Sequence, residues 1–210
     1  MIELRYQDQD SGDAPYLTRV LITDRYMRLD QGHDDGDFIL LDRKSGVLTN
    51  VTRDQKTILR LPRKLLPALP PSYKIEEKVM AVRPGTVRVQ LYSGAMRCSE
   101  TVAAQRLLPE AVKALAEYKN ALAYTQWQTY QNTPSDMQQA CDLVQHVWGA
   151  TRSLAHGLPL EEQDYAGRSR VLVASGRISV KPALFKLPRN YAVMEPPGQE
   201  DLKPGSVEIK

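Results

Sequence analysis

Three carboxylates and an imidazole fall within five positions of this chain, His33, Asp34, Asp35 and Asp37, and the grouping is the first place to look for chemistry. Oxygen-rich clusters hold hard cations, and a metal bound beside a histidine would make a metal-dependent hydrolase. The spacing argues against it. The loop from Gln31 to Asp37 lacks the D-x-[DN]-x-[DN]-G frame and the distal glutamate of a calcium loop, and Gly32 and Gly36 are what the end of a hairpin needs. A solvated hairpin loop without a metal is the expectation.

The other two histidines, His146 and His156, have no Ser or Cys beside them in a recognised nucleophile motif, and G-x-S-x-G does not occur in the chain. Both read as surface or structurally bonded imidazoles, so no catalytic residue and no cofactor site is expected. Cys98 and Cys141 are the two cysteines. Their number fits one disulfide in an oxidising compartment or two unrelated buried thiols.

These residues sit in a chain of ordinary globular composition. Its 210 residues suit one domain, and 42% hydrophobic with 25% charged residues can build a core. The longest apolar runs are far shorter than a bilayer span. A net charge of +3 from 28 basic and 25 acidic residues, with no basic cluster, argues against a nucleic-acid partner. The opening Met1-Ile2-Glu3-Leu4-Arg5-Tyr6 alternates as a strand from the start and carries no signal peptide. Two locations follow: a cytoplasmic protein, or an envelope protein whose targeting segment has been removed and replaced by Met1.

The elements that must position any site begin with a β-meander from Tyr16 to Pro62. Period-two runs at Tyr16–Ile22, Tyr26–Asp30, Phe38–Asp42, Val47–Thr52 and Lys56–Leu61 are separated by turns too short for parallel crossovers, so neighbouring strands are antiparallel. Gln7–Asp13 reads as an exposed loop. Pro62–Ser72 has four prolines among Leu65, Leu66 and Leu69, which excludes regular pairing and predicts a covering segment or flap. Strands resume at Tyr73–Val79 and Thr86–Tyr92 around an Arg83-Pro84-Gly85 turn.

At Pro109 the period changes to about 3.6. Val112, Leu115, Tyr118 and Leu122 form one helical stripe that runs toward Trp127 and Tyr130. Thr133-Pro134-Ser135-Asp136 predicts the start of a second helix with Thr133 as N-cap, carrying Met137, Ala140, Cys141, Val144, Val147 and Trp148 on one side. Past Gly157 the β period returns as a hairpin, Leu158–Asp164 and Arg168–Ala174. Pro182–Tyr191 reads as an apolar closing segment, and Glu195 onward, rich in Pro and Gly, as a poorly ordered tail over 195–210.

The strand containing Arg28-Leu29-Asp30, the strand Phe38–Gly46 (FILLDRKSG), the hairpin Gly157–Gly167 (GLPLEEQDYAG) and the closing Pro182–Tyr191 (PALFKLPRNY) together resemble small bacterial proteins of unknown function related to the Lol-type periplasmic lipoprotein carriers. The resemblance covers residues 16 to 191 as an order of elements, and the helical pair between Pro109 and Trp148 departs from the pattern in length or placement. It implies an α+β, LolA/LolB-like fold over 1–194: a curved antiparallel sheet or unclosed β-barrel, with the helical insertion of about 109–149 covering its concave face. It also implies a periplasmic location and a disulfide between Cys98 and Cys141 that staples the helices to the sheet.

On that resemblance the leading expectation is a non-enzymatic envelope protein that binds a lipid, an acyl chain or a lipidated protein, with other envelope proteins as candidate partners. Burial of acyl methylenes, about 0.8 kcal/mol each before ordering costs, would supply the affinity. The cavity candidates are Leu65, Leu66, Leu69, Leu115, Leu122, Trp127, Val144 and Trp148. Two other classes stand beside it: a structural or interaction module with a self-filled core, and a hydrolase built on the 33–37 loop.

Overall fold

The computed structural model describes residues 1–196. Twelve strands form one sheet: β1 (Ile2–Gln9), β2 (Tyr16–Ile22), β3 (Tyr26–Asp30), β4 (Phe38–Asp42), β5 (Val47–Thr52), β6 (Thr57–Leu61), β7 (Glu76–Arg83), β8 (Thr86–Ser93), β9 (Met96–Ala104), β10 (Leu158–Asp164), β11 (Ser169–Arg177) and β12 (Ala192–Met194). They lie side by side in the order β12-β6-β5-β4-β3-β2-β1-β11-β10-β9-β8-β7. β12 and β7 end the sheet without meeting, so it is unclosed. All neighbours are antiparallel except β12, which lies parallel to β6. Register breaks at Arg5/Tyr6, Ala81/Arg83, Leu91/Tyr92 and Pro159/Glu161 add local twist, and the sheet curves. The fold is the expected α+β arrangement.

The long helix α1 (Pro109–Asn132) starts where expected, with Pro109 in its first turn. Its Ala111, Ala114, Leu115 and Ala121 pack on Ile2, Leu4, Tyr6, Val20, Ile22, Met27, Leu41 and Leu48 of the sheet. Small residues on that stripe let the helix sit close to the strands. The opposite face of the meander is buried as well: Leu21, Phe38, Leu40, Val51 and Ile58 are covered by Leu184 and Phe185 of a short 3-10 turn, Pro182–Phe185. Two covered faces explain why β4 reads as an unbroken apolar run, where a half-exposed strand would alternate.

The second helix is a correction. It does not begin at Thr133: that residue ends α1, with its Oγ1 and its backbone N–H both bonded to the Thr129 carbonyl. Pro134 forces Thr133 into the extended region (φ −73°, ψ 134°), which closes one helix before another can start. Helical structure resumes only at α2 (Ala140–Asp142), which runs on into a π-helical turn, Leu143–Val147. Other boundaries also differ. β1 continues through Gln9 into the expected loop, β7 occupies Glu76–Arg83 and not Tyr73–Val79, and β9 and β12 form where the sequence pattern predicts no strand. The expected tail from 195 lies, past Pro196, outside the described residues.

Cys98 of β9 and Cys141 of α2 are disulfide-bonded, with Cα atoms 4.9 Å apart. Around the bond, Val87, Val89, Leu91, Ala103 and Val144 form a third cluster that fixes α2 and its π turn on the sheet.

A charged network holds the closing segment. Asp30, with its side chain wholly buried, accepts from Arg19 Nε and Nη2 at 2.8 and 2.9 Å and from Arg28 Nε at 2.6 Å. Arg28, 1% exposed, donates through Nη1 to the Leu184 carbonyl at 2.7 Å and stacks on Phe38 at 4.0 Å. Burial raises the Asp30 pKa, but the two guanidinium groups and the Gly32 N–H more than reverse this, and the net shift is downward.

Both the disulfide and the charged network can be tested by their effect on stability. Reduction of the disulfide, or Cys98→Ser with Cys141→Ser, removes about 4 kcal/mol in the chain-entropy model for a loop of 43 residues, read as a shift in the urea midpoint. Asp30→Asn leaves the buried Arg28 without a carboxylate partner, while Arg19 keeps Asp34, and costs about 3–5 kcal/mol at neutral pH. Because the folded pKa of Asp30 lies below its unfolded value, its contribution is full at neutral pH and is lost as pH falls through the folded value. Wild-type stability should therefore decline below about pH 4, and that of Asp30→Asn less steeply.

Candidate functional site

Strand alternation decides which side chains meet beneath α1. β1 turns Ile2, Leu4, Tyr6 and Asp8 inward. The registers then carry Asp8 across the sheet: it lies opposite Arg170, Arg170 opposite Glu162, and Glu162 opposite Thr101. Cross-strand Cβ atoms on one face are about 5 Å apart, so the ladder itself builds a row of alternating charge.

Arg170 grips Asp8 at both ends of its fork, Nε to Oδ1 at 2.6 Å and Nη2 to Oδ2 at 2.9 Å. Thr18 donates to the same carboxylate at 2.5 Å. The guanidinium reaches Glu162 at 4.0 Å and lies 5.1 Å from the centre of the Tyr6 ring. Lys119 of α1 approaches Glu162 from above at 3.5 Å. Burial pushes the Asp8 carboxyl up, but hydrogen bonding and charge from Arg170, with the Thr18 hydroxyl, leave it lowered. Glu162 is likewise lowered, its burial outweighed by Lys119 and Arg170. Burial raises the Tyr6 and Tyr118 hydroxyls, and Tyr6 donates to the Pro159 carbonyl at 3.2 Å.

Over this row lies a cleft of about 350 Å³, between α1, the π turn and β8 to β11. Its apolar lining comes from Leu29, Leu91, Leu122 and Ala150, its charged lining from Lys119, Glu162, Arg168 and Arg170. Gly149 lies at the rim of the π turn. A Cβ there would fall 2.3 Å from the Val144 carbonyl, so the turn requires glycine.

The structure disperses most of the residues singled out from the sequence. Leu122 lines the cleft; Leu115 and Val144 are packed inside separate core clusters. Trp127 pairs with Tyr124 at 5.6 Å. Trp148 leans on Tyr73 at 5.8 Å and donates to the Pro67 carbonyl at 2.8 Å, tying the proline-rich segment to the helical turn. Within that segment Leu65 is 85% exposed, and Leu66 and Leu69 are half-buried. The eight apolar positions therefore do not surround one cavity.

The 33–37 loop does not converge either. Asp34 faces Arg19 at 2.8 Å and Lys181 at 3.5 Å, while Asp37 accepts from the Arg53 N–H at 2.7 Å. Among the described residues no three His, Cys, Asp or Glu side chains are grouped as metal ligands. His156 bonds Glu77 at 2.7 Å, and exposed His146 lines the cleft. The sequence does not reveal the charged row because Asp8 on β1 and Lys119 on α1 lie far along the chain from the β10–β11 hairpin that carries Glu162 and Arg170. The available signal was Asp8, the fourth inward position after Ile2, Leu4 and Tyr6.

No protein-family model matches the chain, and no curated protein does. Among solved structures, an uncharacterized conserved protein from Thermus thermophilus is similar over 93% of this chain and 90% of its own, at 12% identity and a TM-score of 0.48. PNGF-II is similar over 96% of this chain in two crystal forms, at 10% identity, with TM-scores of 0.43 and 0.36. The chain spans 32% of the PNGF-II chain. Likenesses this distant assign neither a family nor an activity.

Proposed function

We propose that this is a non-enzymatic cell-envelope protein that holds an amphipathic ligand, namely a lipid, an acyl chain or a lipidated protein, in the cleft beneath α1. The observation that carries the reading is the presence of two kinds of lining in one cleft: apolar Leu29, Leu91, Leu122 and Ala150 share it with Lys119, Glu162 and Arg170, whose charges are paired with one another or with the buried Asp8. Methylenes buried against the apolar residues contribute about 0.8 kcal/mol each. The charged residues offer hydrogen bonds to a polar end while Asp8, Arg170, Glu162 and Lys119 compensate one another, so the ligand need not carry net charge. The Cys98–Cys141 disulfide suits an oxidising compartment such as the periplasm. Among the described residues no helix is long and apolar enough to cross a membrane.

A second reading, an interaction module that fills its own core, is favoured by the packing of Leu115 and Val144 within core clusters. Lipid extraction and mass spectrometry of natively purified protein separate the two, together with titration of a fluorescent hydrophobic probe. The carrier reading expects a co-purifying lipid and a probe that Leu122→Arg binds at least about tenfold more weakly, with an unchanged circular dichroism spectrum. Wild-type protein that yields no lipid and binds no probe would sink it.

A further inference from the structure

The sheet ends on one side in an unusually open strand. All eight residues of β7, Glu76–Arg83, are exposed, and among the described residues β8 is its only strand neighbour. One set of its backbone N–H and C=O groups is therefore unpaired, and natural proteins shield such edges with short strands, prolines or inward charges. The opposite edge follows that rule, since β12 has three residues. β7 is eight residues long and has no proline; its charges, Glu76, Glu77, Lys78 and Arg83, lie toward its two ends, and Val79, Met80 and Val82 between them are 44, 42 and 48% exposed.

We propose that β7 pairs antiparallel with β7 of a second copy of this chain, about a two-fold axis at Val79, and so continues the sheet across a homodimer. Charge and register single out this alignment. Opposite residues must share a face, and the β8 register places Glu76, Lys78 and Met80 on one face and Glu77, Val79 and Ala81 on the other. Val82 is bulged out between Ala81, opposite Val87, and Arg83, opposite Thr86, which returns Arg83 to the face of Glu76.

With the axis at Val79, Val79 meets Val79, Lys78 meets Met80 and Glu77 meets Ala81. The bulge then brings Arg83 of each copy opposite Glu76 of the other. Among the described residues neither Glu76 nor Arg83 has an ion-pair partner within the chain, and the two-fold axis satisfies both of them twice. A slip that centres the axis on Lys78 sets lysine against lysine, and one centred on Met80 takes Arg83 away from Glu76. Like charges opposed across strands repel, so the alternatives are disfavoured. Such an interface is isologous and closed, ending at two copies without propagating into fibres.

Sedimentation velocity of the full chain, from micromolar to near-millimolar concentration, tests the pairing. The expected result is a concentration-dependent dimer. Arg83→Glu, which turns two attractions into two repulsions, should raise its dissociation constant about tenfold, and Glu76→Arg added to Arg83→Glu should restore it. Both substitutions lie on the exposed edge, and thermal melting of each variant checks that the monomer fold is kept. A chain that stays monomeric throughout overturns the proposal and leaves the edge to a strand from another protein. A dimer indifferent to both charge changes overturns it too, by placing the contact on another face.

Discussion

Everything in this molecule is hung on the first strand. β1 pairs with β2, its neighbour in sequence, and also with β11, where Ile2 lies opposite Arg177. It is the seam between the run β2 to β6 and the run β7 to β11. The β2–β6 run is assembled from short hairpins and the β7–β11 run from hairpins plus one long β9–β10 connection through α1, but joining the two runs at β1 and β11 closes almost the whole chain and carries the largest loop-closure cost. The contacts at the seam match the demand. Leu4 and Tyr6 are buried to the last per cent, and the wholly buried Asp8 meets Arg170 in a two-pronged ion pair that would be costly with either partner missing.

Around that seam the two halves of the sheet are covered in different ways. The meander is buried on both faces, with α1 on one side and the Pro182–Phe185 turn on the other, and the turn is held by a polar contact, Arg28 to the Leu184 carbonyl. The other half is covered by a short, irregular helix that could not persist alone. Three residues of α2 and one π turn have too few backbone hydrogen bonds to overcome the cost of nucleation. The disulfide and the Val144 cluster hold that segment where its own helical propensity does not.

The cleft is the gap between these two kinds of cover. α1 reaches it with Tyr118, Lys119 and Leu122, and the π turn with Gln145, His146 and Gly149. Part of its lining is charged because the seam is charged: the pair that locks β1 to β11 continues to Glu162 and up to Lys119. One row of side chains thus does structural service at Asp8 and lines the cleft at Glu162 and Lys119, which couples the shape of the cleft to the integrity of the sheet.

Much of this order could be read from the chain itself. The period-two runs between Tyr16 and Leu61, the hairpin after Gly157 and the helix opening at Pro109 depend on nearest neighbours, and their residues state them directly. β9 was silent because its inward positions, Cys98, Thr101 and Ala103, are small or polar and make no apolar stripe. Thr133-Pro134 was misleading, since a proline after a threonine looks the same whether it opens a helix or ends one. The choice between disulfide and free thiols, the place of the eight apolar candidates and the charged row were beyond the sequence for a common reason. Local pattern sets the period and the face of each element, whereas meetings such as Asp8 with Arg170 depend on strand register across 162 residues, which only the packed sheet decides.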